Sequence, residues 1–187
     1  LELTATDGAN QNTTVTTGII VQNGSFGYER IDLPETRLSI LDPAITAAEH
    51  ELLETYRYTY SPTRQWSTPF QQPAPGSISS YFGTHRAYEN GPYTSYHSGV
   101  DFRAPTGTAV SAPAGGTVIF TGELTVRGNT IIIDHGWGLV TGYWHLYSIE
   151  VTAGQTVAPG DLIGRVGNTG LSTGAHLHWE VWVNGIS

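Results

Sequence analysis

Two histidines, His176 and His178, stand one residue apart in the run Ala175-His176-Leu177-His178-Trp179-Glu180-Val181-Trp182-Val183. The run alternates and is rich in aromatic and β-branched residues, so it predicts a β-strand. Successive strand side chains point to opposite faces, so the two imidazoles share a face with Trp182, and Trp179 packs beneath. Paired imidazoles on a stiff strand suit a divalent metal, or a metal and a catalytic base. Three more segments carry candidate chemistry: His97-Ser98-Gly99-Val100-Asp101, Tyr143-Trp144-His145-Leu146 and Phe82-Gly83-Thr84-His85-Arg86. Gly99 argues against regular helix, and a curved loop can bring His97 and Asp101 to one point. His145 reads as the end of a strand.

There is no cysteine, so a metal here must sit on His, Asp or Glu. Catalytic zinc takes three protein ligands and keeps a fourth position for water. His97, Asp101 and one of His176 and His178 supply two nitrogens and one carboxylate. His145 and the other member of the pair then stand beside a metal-bound water, as general base and as donor to a developing oxyanion. On residue types and spacing alone this is a metal-assisted hydrolase site.

Composition narrows the partners. The 187 residues carry a formal net charge of −8, eight arginines and no lysine. An acidic chain without a basic run argues against nucleic acid and anionic membranes. The missing lysine excludes a lysine-attached cofactor. This matters because Val151 to Gly164 resembles the strand–turn–strand of biotinyl and lipoyl carriers. A phosphocarrier histidine would leave His97 and Asp101 without a purpose. No apolar run is long enough to span a membrane. No signal peptide is visible at Leu1, and the chain starts and stops mid-pattern, as an excerpt of a longer protein would.

The elements that must position the site follow from local patterns. Leu1–Ala5, Gly18–Gln22 and Tyr28–Leu33 read as short strands, either the last part of a sandwich or a β-extension on the next domain. Asp42-Pro43 is an N-cap with proline at the first helical position. It opens a helix from Ala44 to about Tyr56. Ile45, Ala48, Leu52, Leu53 and Tyr56 form its apolar face, with Glu49, Glu51, Glu54 and His50 in water. Pro62, Pro69, Pro73 and Pro75 make an extended connector over 61–76, docked by Trp66 and Phe70. From there, strands are expected at Ser77–Phe82, Ala109–Ala112, Thr117–Thr121, Thr130–His135, Leu139–Leu146, Thr156–Val157, Leu162–Val166 and His176–Val183. Turns separate them, so the fold is mainly β. His135, beside a turn, is expected to bond backbone rather than metal.

In this order the segments resemble the lysostaphin-like (LytM-type, M23) zinc metallopeptidases. That family carries His-x-x-x-Asp, a later Tyr-x-His-Leu-like segment and a terminal His-x-His. Here these are His97–Asp101, Tyr143–Leu146 and His176–His178. Asn168 to Glu180, Asp134-His135-Gly136 and Ala104 to Gly107 also look like the family. The resemblance spans Ser77 to Ser187 and implies an antiparallel β-sheet peptidase domain with its site in a groove, over 77–187. It implies one Zn2+ on His97, Asp101 and His178, with His145 and His176 catalytic. It also implies peptidoglycan peptides as substrate and an extracytoplasmic place (periplasm, cell surface or medium) in a bacterium. Residues 1–60 resemble, more loosely, the tail of an immunoglobulin-like module followed by a helix. Arg86 suits a substrate carboxylate or a surface salt bridge. Tyr93 and Tyr96 are candidates for a phenol near the oxyanion. A monomer is expected. The competing reading is an inactive relative that binds cell wall or activates an amidase; lost ligands would mark it, and all are present.

Overall fold

Most strands from Ser77 onward form one sheet because their β-branched and aromatic residues alternate between two apolar layers. The computed structural model describes residues 2–6, 8–16, 18 and 24–187; the expected strand Gly18–Gln22 lies outside them except for Gly18. In chain order the elements are β1 (Glu2–Thr6), β2 (Asn12–Thr16), β3 (Tyr28–Ile31), a 3₁₀ segment (Glu35–Leu41) and α1 (Pro43–Arg57). Then come β4 (Ser77–Ser80), β5 (His85–Tyr88), β6 (Ser95–Tyr96), β7 (Val100–Arg103), β8 (Ala109–Ser111) and β9 (Gly116–Leu124). The chain closes with β10 (Gly128–Asp134), β11 (Leu139–Ile149), β12 (Thr156–Val157), β13 (Leu162–Val166) and β14 (His176–Val183).

Nine strands make the main sheet, in the order β12-β9-β10-β11-β14-β7-β4, with β13 pairing β11 and β8. All its pairings are antiparallel. The mainly β, antiparallel expectation therefore holds. β12, β13 and β14 have the expected bounds. Four strands were not foreseen: β2, β5, β6 and β7. They are short and largely polar, and pairing with neighbouring strands makes them extended. β3 pairs in parallel with β5, while among the described residues β1 and β2 pair only with each other.

One face of the sheet covers Phe102, Val118, Ile131, Ile133, Tyr143, Leu146, Ile163, Val166 and Leu177. The other face packs Ile132, Val140, Trp144 and Trp182 against Leu53 of α1. Trp179 and Trp182 thus fall on opposite layers, as alternation requires. Asp42 caps α1 through a bond from the Ala44 amide, 2.8 Å. The helix face needs a correction. Glu49 was expected in water but is buried, while Ala48 and Leu52 are exposed. Glu49 accepts from the Val126 and Arg127 amides (2.8 and 3.0 Å) and from the Arg127 guanidinium (2.8 Å). The tip of the β9–β10 hairpin is therefore held by the helix.

Candidate metal centre

Register brings the first two groups together. β7 and β14 are neighbours, and His178 is the direct partner of Asp101. Directly opposed residues of an antiparallel pair share a face. Asp101 thus lies inside β7 rather than in the loop expected between it and His97. His97 enters from the turn before β7 and is fully buried. Its Nε2 lies 3.0 Å from Asp101 Oδ1 and 2.8 Å from His178 Nδ1, and that Nδ1 lies 2.8 Å from Asp101 Oδ1.

The remaining polar atoms of these three side chains are already bonded. His97 Nδ1 faces the Tyr81 carbonyl at 3.0 Å, with Ser80 Oγ at 3.1 Å. A carbonyl only accepts, so Nδ1 carries the proton and Nε2 the lone pair. His178 Nε2 faces a Glu180 carboxylate oxygen at 3.0 Å, which leaves its lone pair on Nδ1. Asp101 Oδ2 accepts from Arg86 Nη2 at 3.0 Å. What converges is three acceptors, two nitrogens and one carboxylate oxygen, within 3.0 Å of one another. Such a cluster calls for positive charge at its centre, and the donor set fits one zinc ion. The same demand for positive charge shows in the protonation tendencies. Burial raises the Asp101 carboxyl, but the His178 and His97 imidazoles beside it outweigh burial and hold the group well below the usual carboxylate range. Burial lowers His178, and the Asp101 and Glu180 carboxylates against its two nitrogens raise it further than burial lowers it. Burial lowers His97.

His145 and His176 are built differently. His176 shares the His178 face of β14, and its Nδ1 donates to the Gly174 carbonyl at 2.8 Å. His145 Nδ1 donates to the Thr169 carbonyl at 2.8 Å. The two rings lie 4.9 Å apart, and each keeps an Nε2 lone pair. Burial lowers the pKa of both, most strongly at His145, where the charges of His176 and His178 add to it. Both imidazoles are therefore neutral near pH 7. His145 does not end its strand: β11 runs on to Ile149. Instead it sits in a bulge with φ of 62°. Tyr143 and Leu146 both enter the lower core, so the two residues between them, Trp144 and His145, turn to the site face. The bulge is held by Arg127, whose carbonyl accepts from the His145 amide at 2.8 Å. The glycine-rich loop before β14 is tied to the same hairpin tip, Leu171 N to Val126 O, 2.7 Å.

A cavity of about 180 Å³ adjoins the cluster, lined by Asp101, His145, His176, Arg86, Tyr88 and Glu29. Arg86 is committed on two sides, to Asp101 and, through Nε at 3.2 Å, to Glu29 of β3. Tyr96 lines the adjoining cleft with Arg86 and Tyr88. Tyr93 lies farther out, in a patch with the exposed Phe26 and Phe82 and the half-buried His85. His135 bonds the Gly115 carbonyl (2.7 Å) and Thr141 (2.7 Å), as its turn-side position suggested, and takes no part in the site. Glu29, Glu49, Tyr88 and Glu180 were not singled out from the sequence. Only Glu180 carried a local signal, its place two residues after His178 on a strand.

Residues 95–187 match the model of peptidase family M23. The solved structure of LytU is 32% identical, with a TM-score of 0.52, over 67% of this chain and 83% of that one. This chain belongs to peptidase family M23. A second solved structure, a zinc-containing peptidase from Vibrio cholerae, is 35% identical with a TM-score of 0.59, over 64% of this chain and 38% of that one. Among curated relatives, the peptidoglycan DD-endopeptidase ShyA of Vibrio cholerae is 42% identical over 108 residues, which is 58% of this chain and 25% of ShyA. The M23 chain described here thus spans a quarter of the length of that relative. The family expected from the motifs is the family found, and its zinc chemistry agrees with the donor set of the cluster.

Proposed function

We propose that the chain is a zinc-dependent endopeptidase that hydrolyses peptide bonds in bacterial peptidoglycan cross-links. One observation carries the reading. Three acceptor atoms of His97, Asp101 and His178 converge beside two neutral histidines that each keep a free Nε2. In this proposal His97, Asp101 and His178 hold the metal, and His145 and His176 are catalytic. Bound zinc supplies Lewis-acid polarisation and makes water acidic near neutral pH. One Nε2 of the flanking pair would take the proton of the attacking water and pass it to the leaving amine, and the other, protonated from solvent, would donate to the developing oxyanion. Their Nδ1–H bonds to backbone carbonyls fix which nitrogen does this work. Arg86 and Tyr96, along the cleft, and Tyr93 beyond it are the proposed substrate contacts. The inactive alternative, which lost ligands would mark, is not favoured: all five of these side chains are present in the sequence.

Several readings belong to the same proposal. Peptidoglycan peptides as partner place the chain outside the bacterial cytoplasm. The peptidase unit begins near residue 77, since among the described residues the nine-stranded sheet takes no strand from before Ser77. Residues 1–60 are a partial β-rich segment of immunoglobulin-like origin with its helix, and 61–76 are a connector. The test is digestion of purified peptidoglycan of known cross-link type, with identification of the new amino terminus and measurement of zinc per chain. One zinc and a new amine within the cross-link are expected. A folded chain that holds zinc and releases no amine from any cross-link type would sink the proposal.

A further inference from the structure

Glu180 follows His178 by two residues on β14, so both side chains lie on one face. It is 2% exposed. An ionised carboxylate at that depth is costly unless it is paired and hydrogen-bonded. Three donors converge on its Oε1: Ser98 Oγ at 2.6 Å, His178 Nε2 at 3.0 Å and Trp144 Nε1 at 3.2 Å. Oε2 has no hydrogen-bond partner among the described residues. The arrangement therefore aims one oxygen at one imidazole nitrogen.

The segment between His97 and Asp101 is shaped around this contact. Ser98 supplies one of the three donors. Gly99 lies directly over the pair: a Cβ there would meet the Trp179 carbonyl oxygen at 2.3 Å, His178 Nε2 at 2.8 Å and Glu180 Cγ at 3.0 Å. Any side chain at 99 would press on the Glu180–His178 bond, so two of the three residues inside the His-x-x-x-Asp spacing, Ser98 and Gly99, are tied to Glu180 as well as to the turn.

We propose that Glu180 is a positioning residue of the metal centre: its carboxylate accepts the hydrogen bond from His178 Nε2–H and so keeps the Nδ1 lone pair turned toward His97 and Asp101. The inference rests on the ligand set proposed above and adds a residue outside it. Outer carboxylates of this kind fix the tautomer and orientation of a ligand histidine and increase its basicity. Glu180 touches neither substrate nor reacting atoms, so it acts through His178.

The experiment measures zinc affinity by chelator competition for wild type, Glu180→Gln, Glu180→Ala and Ser98→Ala, with the absorption spectrum of each cobalt-loaded protein. Both Glu180 variants should bind zinc about 10–100-fold more weakly and show a shifted cobalt spectrum, with Ser98→Ala affected less. Folding is followed by circular dichroism, and Glu180→Gln keeps the side-chain volume. The long-range ¹H–¹⁵N spectrum of the wild type should show the His178 Nε2 protonated. An unprotonated Nε2 overturns the proposal even if no variant folds. Equal zinc affinity in wild type and folded Glu180→Gln overturns it alone. A wild type that binds no zinc refutes the ligand set, and this proposal with it.

Discussion

His97, Asp101 and His178 are tied to charged or hydroxyl partners from several elements, whereas His145 and His176 are anchored through Nδ1 on backbone carbonyls, with Ser172 Oγ also 3.3 Å from His176 Nδ1. In the first half of the site, sheet register sets Asp101 of β7 against His178 of β14, and His97 joins them from the turn before β7. In the second half His145 rides on a bulge of β11, and His176, at the start of β14, is tied back to the glycine-rich loop before it. The difference fits the two tasks proposed for them. A ligand must point its lone pair at one place and keep it there, which favours a dense set of outer bonds. A proton carrier must keep one nitrogen free, which favours tethering the ring through the other nitrogen alone.

The largest break in that contrast comes from the cluster. Asp101→Ala or His178→Ala should lose zinc and hydrolysis together, by more than the roughly 10–100-fold expected of an outer partner. Equilibrium dialysis beside a peptidoglycan digestion assay checks this, and a variant that keeps both would dissolve the cluster as a ligand set. Next come His145→Ala and His176→Ala. Each should lower kcat by about 10²–10⁴-fold while zinc per chain is unchanged. Loss of zinc in either would move that residue into the ligand half.

Smaller effects test how the loop-borne half is held. Glu49→Ala removes three bonds from the hairpin tip that supports His145. It leaves Arg127 without its ion-pair partner, so it should cost about 3 kcal/mol in urea unfolding and lower activity with zinc retained. Glu51, exposed on the same helix, serves as control, with an effect within about 0.5 kcal/mol on substitution by Ala. The smallest effect concerns His135, a third kind of histidine with both nitrogens bonded to neutral groups. Burial lowers its pKa, so between that value and about 6.5 the unfolded chain binds more protons than the folded one. Its contribution to stability is full above about pH 6.5 and declines as pH falls through that window. Metal-stripped wild type should therefore lose more stability on going from pH 7.5 to 5 than metal-stripped His135→Gln. Equal losses would mean that His135 carries no such linkage.

Much of the site was legible because its residues sit on a strongly periodic strand. Alternation along His176–Val183 put His176, His178 and Trp182 on one face and Trp179 on the other, and the structure keeps that pattern. The helix bounds were legible for the same kind of reason, an Asp-Pro start at Asp42 and Pro43. The helix face was not. Glu49 looks like a solvated position by composition, and only the amides of Val126 and Arg127, far along the chain, make its burial favourable. β7 was hidden likewise, since Val100 to Arg103 is too short and too polar to declare itself without β4 and β14 on either side.

The sequence by itself determined the chemistry on offer: nitrogen and carboxylate donors without thiolates, in an order that matches the M23 family, on a chain that alternates as sheet. Tertiary structure alone decided how those donors meet. Periodicity sets faces within one strand, but it says nothing of register between strands 77 residues apart, and that register is what sets Asp101 opposite His178. At His145, strict alternation would place the ring on the face of Tyr143, inside the core. A positive φ and one extra residue turn it to the site instead, a local strain of about 1–3 kcal/mol that the Arg127 and Thr169 bonds and the surrounding packing hold in place.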